Sequence, residues 1–372
     1  MSIPVPWRRP TTSGPRLVLA VVAALACEAR GADPAADGPH LAVYRWGAAN
    51  PHGGAPANEA YARWLGRPAV WAEDFEPTER WDSIAGGDWQ LGEWSRWKQA
   101  GAGRRLVLSV PLLPGPWDRS GPKDGAHAGQ PVSLQAGARG EYNAHFRKLA
   151  ENLVRHDLGD SILRPGWELN GGWYAWRAGE DPAAFAAYWR EIIRTMRAVP
   201  GTGSLQFCWN PALGYQQFPA EKAWPGDEWV DLVGLDVYDD SWIPETYPLT
   251  ESLTGAEVES RRRAVWEKVI LHGDHGLQFW RDFAAAHRKP FSVPEWGVDR
   301  RGDGHGGLDD PAFIERMHAF LVDPANRVLF HCYFDVEAPD GGHQLSPGRD
   351  GTETTRFPES AARFRALFGG GR

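Results

Sequence analysis

The sequence predicts a single (β/α)8 barrel, an α/β fold, on three observations. Short apolar runs alternate with amphipathic segments from His40 onward, there are eight such runs, and the Gly- and Pro-rich stretches fall mostly after them. Strands of a parallel sheet covered on both faces read as near-continuous apolar runs. Loops that follow the strands of such a barrel gather at the face where its active sites are built. A doubly wound open sheet is the competing arrangement, but no glycine-rich phosphate loop follows the first run.

The strand candidates, in order, are Leu41–Trp46, Val70–Phe75, Arg105–Val110, Ser161–Trp167, Leu205–Trp209, Asp231–Val237, Pro290–Val293 and Val328–Phe334. Helices are expected between them. In Glu141–His156 the apolar residues Phe146, Leu149 and Leu153 keep to one helical stripe, with Arg147, Lys148 and Glu151 outside it. Pro182–Val199 and Pro311–Leu321 each open on Asp-Pro, a capping side chain followed by proline in the first turn. Two long connections stand out, Pro111–Gly140 after the third strand and residues 239–256 after the sixth. Loops of that length commonly carry function, and here they suggest an open cleft for a polymer.

Before the barrel, Arg8 and Arg9 precede the apolar run Leu17–Cys27, too short to span a bilayer comfortably and shaped like a secretory signal. Residues 1–31 are therefore expected to direct export, with 32–39 a linker and 40–372 the catalytic domain. Small residues allow cleavage after Ala26 or Gly31, and Cys27 also fits a lipoprotein site, so the protein is expected to be secreted, periplasmic or lipid-anchored at a bacterial envelope. Cys208 and Cys332 lie in apolar strand-like runs without metal-ligand spacing and read as buried free thiols. With 42% hydrophobic and 24% charged residues the chain can bury a sizeable core. Its net charge of −8 and lack of a long basic run exclude nucleic acid as the expected partner. A monomer acting on a polysaccharide or oligosaccharide, with no metal or cofactor, is expected. Twenty Trp residues suit a carbohydrate cleft, because flat apolar rings with one N–H match the faces of sugars, although core packing must account for many of them.

Two strand ends carry a glutamate in a crowded, non-helical setting: Glu168 in ILRPGWELNGGWYAW and Glu295 in PFSVPEWGVD. Glycosidic cleavage needs one carboxylic acid to protonate the leaving oxygen and one carboxylate to attack or to activate water. The fourth and seventh strands face each other across an eight-stranded barrel, so the two acids can flank one bond. A lone glutamate at a strand end would more often be a solvated loop acid; the opposed pair reverses that reading.

The segment RPGWELNGGWYAW resembles the acid/base motif of glycoside hydrolase family 26, in clan A of retaining β-glycosidases, whose usual form is Arg-Pro-x-His-Glu followed by Asn, Gly and Trp positions. FCWNP (207–211), PGDEWVDLVGLDVYD (225–239) and PEWG (294–297) follow in the family's order, and the resemblance covers most of residues 40–368. It implies Glu168 as acid/base and Glu295 as nucleophile of a double displacement. It implies Tyr238 hydrogen-bonded to Glu295, Asp236 contacting the sugar, Trp173 as a stacking wall and Arg164 orienting the acid strand. Trp167, Asn170, Trp209 and Trp296, within the matching segments, are further sugar-binding candidates. Trp167 departs from the pattern, standing where the family has His. An indole donates one hydrogen bond and accepts none through a ring nitrogen, so activity on unsubstituted 1,4-mannan is expected to be weak beside the best substrate. The eighth strand lacks a platform Trp, leaving Phe334 or Tyr333 for that place. The alternatives to a hydrolase are a catalytically silent glycan-binding barrel and a transglycosylase in exopolysaccharide processing.

Overall fold

The computed structural model describes residues 38–46, 53–347 and 354–370. The export segment and Cys27 lie outside the described residues. The strands are β1 (His40–Tyr44), β2 (Trp71–Phe75), β3 (Arg105–Val110), β4 (Ile162–Pro165), β5 (Gln206–Trp209), β6 (Leu232–Gly234), β7 (Val237–Tyr238), β8 (Phe291–Gly297) and β9 (Val328–Phe334). The short β6 and β7 share one barrel position, and all the pairings are parallel, in the order β1-β9-β8-β6-β5-β4-β3-β2 with β7 on β8. The seam between the first two strands is closed by side chains. His40 stacks on Trp71 with ring centroids 4.4 Å apart, and Tyr44 meets Phe75 edge-on at 4.7 Å. The fold is the expected (β/α)8 barrel.

Side chains alternate across each strand, and that alternation sorts the sequence into two compartments. Ala42, Trp71, Val107, Ile162, Cys208, Leu232, Phe330 and Cys332 form one buried cluster drawn from seven of the strands, the apolar plug of the barrel interior. Both cysteines are free thiols within it. Two residues further along, on the same inward face, stand Glu73, Ser109, Arg164 and Asn210, so the interior turns polar toward the mouth. The outward residues, among them Leu108, Leu163, Phe207, Trp209, Val233 and Trp296, join the larger core beneath the helices.

The helices form where capping and stripe agree. Asn143–Arg155 buries Phe146, Leu149 and Leu153, the expected stripe. Asp181 accepts a hydrogen bond from Ala184 N (2.9 Å) and Asp310 from Phe313 N (3.1 Å), opening the helices Pro182–Arg197 and Pro311–Val322. Caps of this kind each contribute about 0.5–2 kcal/mol. The connection after β3 is partly ordered by its own helix, Leu134–Ala138, capped by Ser133.

Candidate active site

The mouth of the barrel is organised by one buried cation. The guanidinium of Arg164, fully buried at the end of β4, donates from Nη2 to both Asp236 oxygens (3.0 and 2.8 Å) and to Glu295 Oε1 (2.7 Å). Its Nη1 donates to Glu73 Oε1 and to Ser109 Oγ (2.9 Å), and its Nε donates to Asn210 Oδ1 (3.0 Å). Three buried carboxylates around one guanidinium leave an excess of negative charge, which the site relieves by holding a proton. Burial, helped by the charge of Glu295, pushes Glu73 up to about 7 against the opposing pull of Arg164. Arg164 thus braces Glu295 on β8 and not the acid strand.

Glu295 is held from three sides. Besides Arg164, Tyr238 Oη donates to Glu295 Oε2 at 2.8 Å, and the Glu295 backbone N–H donates to Asp236 Oδ1 at 3.0 Å. Asn210 Nδ2 donates to Asp236 Oδ2 at 3.0 Å, so Asp236 is engaged on both oxygens and acts on Glu295 and Arg164 from the cleft wall.

Glu168 is delivered differently. The chain leaves β4 through Gly166 (φ 62°) and enters the left-handed region again at Glu168 itself (φ 52°). Three bonds fix that turn: Glu168 N–H to Asn210 O (2.7 Å), Trp176 Nε1–H to Trp167 O (2.9 Å), and Asn170 Nδ2 to Ala212 O (2.9 Å). The Glu168 carboxyl accepts from Trp173 Nε1 at 2.8 Å. Burial and the neighbouring Glu295 charge push Glu168 up to about 8. One carboxyl is therefore kept protonated at neutral pH beside another that is surrounded by donors, a division of labour typical of acid/base and nucleophile pairs.

Both acids line one cleft of about 980 Å³, together with Trp173, Tyr174, Tyr215, Asp236, Tyr238, Trp242 and Phe334. Trp173, Tyr215 and Trp242 expose about half their surface there (47%, 47% and 56%), as sugar-stacking rings must. At the eighth barrel strand Phe334 reaches the cleft, while Tyr333 points outward and donates to His343 O (2.9 Å). Residues 240–243 of the connection after β7 line the cleft, but Pro111–Gly140 does not; its Trp117 lies under the Arg177 guanidinium instead.

Four of the sugar-binding candidates do not reach the cleft. Trp209 faces outward, among Trp224, Trp280 and Phe283. Trp296, next to inward-facing Glu295, likewise packs outward on Tyr333 and donates to His331 Nδ1 (3.1 Å). Asn170 clips two backbone segments, its Oδ1 also accepting from Ala212 N (2.8 Å). Trp167 is buried against Phe75 and Trp176, and its indole donates to Tyr174 Oη (3.0 Å). The polar group presented to the cleft at this place is therefore the phenol of Tyr174. Sequence reasoning missed Tyr174 and Glu73. The signal for Glu73 was its position two residues beyond Trp71 on an inward face; Tyr174, in an irregular segment, left none.

The model of glycosyl hydrolase family 26 matches residues 134–254. A mannan endo-1,4-beta-mannosidase of Bifidobacterium adolescentis is 29% identical over 108 residues, 27% of this chain and 11% of that protein, so the chain spans a small part of that relative. Among solved structures, a Cellulomonas fimi endo-beta-1,4-mannanase double mutant aligns with a TM-score of 0.58 at 17% identity, covering 89% of this chain and 70% of that one. The catalytic domain of a Bacillus sp. JAMB-750 family 26 endo-beta-1,4-mannanase aligns with a TM-score of 0.58 at 15% identity, covering 90% and 87%. At such identities the structural likeness bears on the fold. The sequence resemblance to the family rests on the matched segment, which includes Glu168.

Proposed function

We propose that this family 26-like barrel is a retaining, endo-acting glycoside hydrolase that cleaves a β-linked polysaccharide, of mannan, xylan or bacterial exopolysaccharide type, by double displacement. The observation that carries the reading is the unlike environment of the two acids: Glu168 raised to about 8, Glu295 met by Arg164 and Tyr238. In the first step a Glu295 oxygen forms a bond to the anomeric carbon while the bond to the leaving oxygen breaks, and Glu168 gives that oxygen its proton. In the second, Glu168 takes a proton from water as the water oxygen displaces Glu295. The open cleft supports attack within a chain. Proton NMR of the first-formed product checks the stereochemistry: β-anomer is expected, and α-anomer overturns the retaining assignment.

Glu168 must be protonated to act in the first step. Its raised pKa keeps the acid form through neutral pH, so kcat/KM on natural polymer is expected to hold through neutrality and fall as pH rises past about 8. On an aryl glycoside whose leaving group needs no proton, glycosylation is expected to lose that alkaline limb.

The names of the relatives put mannan first among substrates to test. Because the buried Trp167 indole is turned to Tyr174, a cleft-facing imidazole is absent at that place. Unsubstituted 1,4-mannan is expected to be cleaved more slowly than the best of a panel including 1,3- and 1,4-xylan, β-glucans and bacterial exopolysaccharides; mannan emerging as best would refute this. Export is proposed from residues 1–31, with a mature terminus near Cys27 or Ala32. Terminal sequencing of envelope-purified protein tests it, and an intact Met1 or Ser2 terminus on abundant cytoplasmic protein would overturn it.

A further inference from the structure

One run of aromatic rings, each meeting the next edge-on, borders the reacting end of the cleft. From Tyr174 it passes to Trp167 (5.0 Å between centroids), then to Phe75 (5.3 Å), Phe334 (6.3 Å) and Tyr238 (5.9 Å). Each end of the run is a phenol that lines the cleft with Glu168 and Glu295. Tyr238 gives its proton to the nucleophile, Oη donating to Glu295 Oε2 at 2.8 Å. The Tyr174 proton has a different destination.

Trp167 decides what that destination is. An indole N–H donates and its nitrogen accepts nothing in return, so the 3.0 Å bond from Trp167 Nε1 makes Tyr174 Oη the acceptor. The phenol's own O–H must point away from Trp167, and among the described residues it meets no acceptor, neither carboxyl included. The ring is held where it stands: it stacks on Trp176 (4.2 Å, planes 12° apart), whose indole is bonded to Trp167 O. Burial, and then the charges of Glu168, Glu295 and Asp236, hold its pKa well above the usual phenol range, so the proton stays on oxygen. A histidine at position 167 could accept as well as donate and would let that proton turn either way. The tryptophan leaves it one direction, into the cleft.

We propose that Tyr174, locked by Trp167, is a specificity-determining residue that donates a hydrogen bond to a hydroxyl oxygen of the sugar attacked by Glu295. The inference deepens the hydrolase reading and rests on it. The run of rings places the contact on that sugar, because it joins Tyr174 through Phe334 to the tyrosine that holds the nucleophile. Arg164, which also holds Glu295, lies 5.7 Å over Phe75 in the same run. A donor facing a sugar with no oxygen at that point would be left unpaired, so the contact selects as well as binds.

The test compares Tyr174→Phe, Trp167→Phe and the double variant on the best-cleaved polymer of the panel and on the 2,4-dinitrophenyl β-glycoside of its disaccharide unit. Tyr174→Phe is expected to lower kcat/KM about ten- to a hundredfold. Trp167→Phe keeps the phenol but frees its rotation, and should lower kcat/KM about two- to fivefold. Added to Tyr174→Phe it should lower it no further, since nothing remains to lock. The double variant also removes the indole N–H that Tyr174→Phe strands, so a loss caused by poor packing would be recovered there and the loss of a sugar contact would not. Among monodeoxy forms of the glycoside, altered in the ring bearing the leaving group, one should be cleaved equally by the parent and Tyr174→Phe. Undiminished kcat/KM in Tyr174→Phe, recovery in the double variant, or equal sensitivity across the monodeoxy series would overturn the contact. An alkaline limb that moves while the plateau holds would also overturn it, because the proton would then serve a carboxyl. A parent that cleaves nothing in the panel would remove the hydrolase reading and this inference with it. An active parent with Tyr174→Phe unimpaired would remove this inference alone.

Discussion

Replacing Glu295 by Ala is expected to reduce activity on natural polymer to background, since no glycosyl-enzyme can form. Glu168→Ala should behave differently. It removes proton donation, worth about a hundred- to ten-thousand-fold, but leaves the nucleophile with its Arg164 and Tyr238 contacts. A dinitrophenyl glycoside of the right sugar should therefore still glycosylate Glu295, and the intermediate should persist for want of a base. Added azide, which needs no deprotonation, is expected to restore turnover and give a β-glycosyl azide, measured by release of dinitrophenolate and by mass spectrometry of the trapped enzyme. Full activity of either variant on polymer would dispose of the site.

Loss of Arg164 should produce the largest fall in stability from one side chain. Glu73, Asp236 and Glu295 are all buried around it. Removing the cation from such a group leaves uncompensated buried charge at about 3–5 kcal/mol, a large fraction of the roughly 5–15 kcal/mol that holds a domain folded. Urea unfolding of Arg164→Met should show a midpoint far below that of the parent. Adding Glu73→Gln to the same chain removes one of the stranded acids and should recover part of the loss. A double variant no more stable than the single one would show that charge balance is not what Arg164 supplies.

How legible this was in the sequence depended on strand parity. The eight strands were readable because many are apolar on both faces; their ends moved, β4 stopping at Pro165 where Gly166 turns the chain, and the sixth divided into β6 and β7. Arg164 and Asp236 were named from the family resemblance, but not as partners: the bonds of Arg164 to Asp236 and Glu295 came only with the structure. Trp209 and Trp296 were misplaced for a single reason. Each neighbours an inward polar residue, Asn210 and Glu295, so each must point outward into the helix layer. Choosing residues for aromatic character instead of parity put core tryptophans in the cleft. Trp173 was named by the resemblance and does reach the cleft; Tyr174 follows a strand, where no periodicity applies, and only the folded turn shows that it reaches the cleft while Trp167 does not.

The left-handed backbone at Glu168 has a consequence for how such a chain persists. A non-glycine residue held in that region costs about 1–3 kcal/mol, and the position would be met more cheaply by Gly or Asn. The folded protein would therefore gain robustness by discarding the very residue assigned to proton transfer. Selection for thermal endurance alone would erode position 168, while selection for catalysis holds it against that drift. Consensus or stability-guided redesign of this barrel would be drawn to the same position, and a gain in melting temperature there would be a warning of lost function.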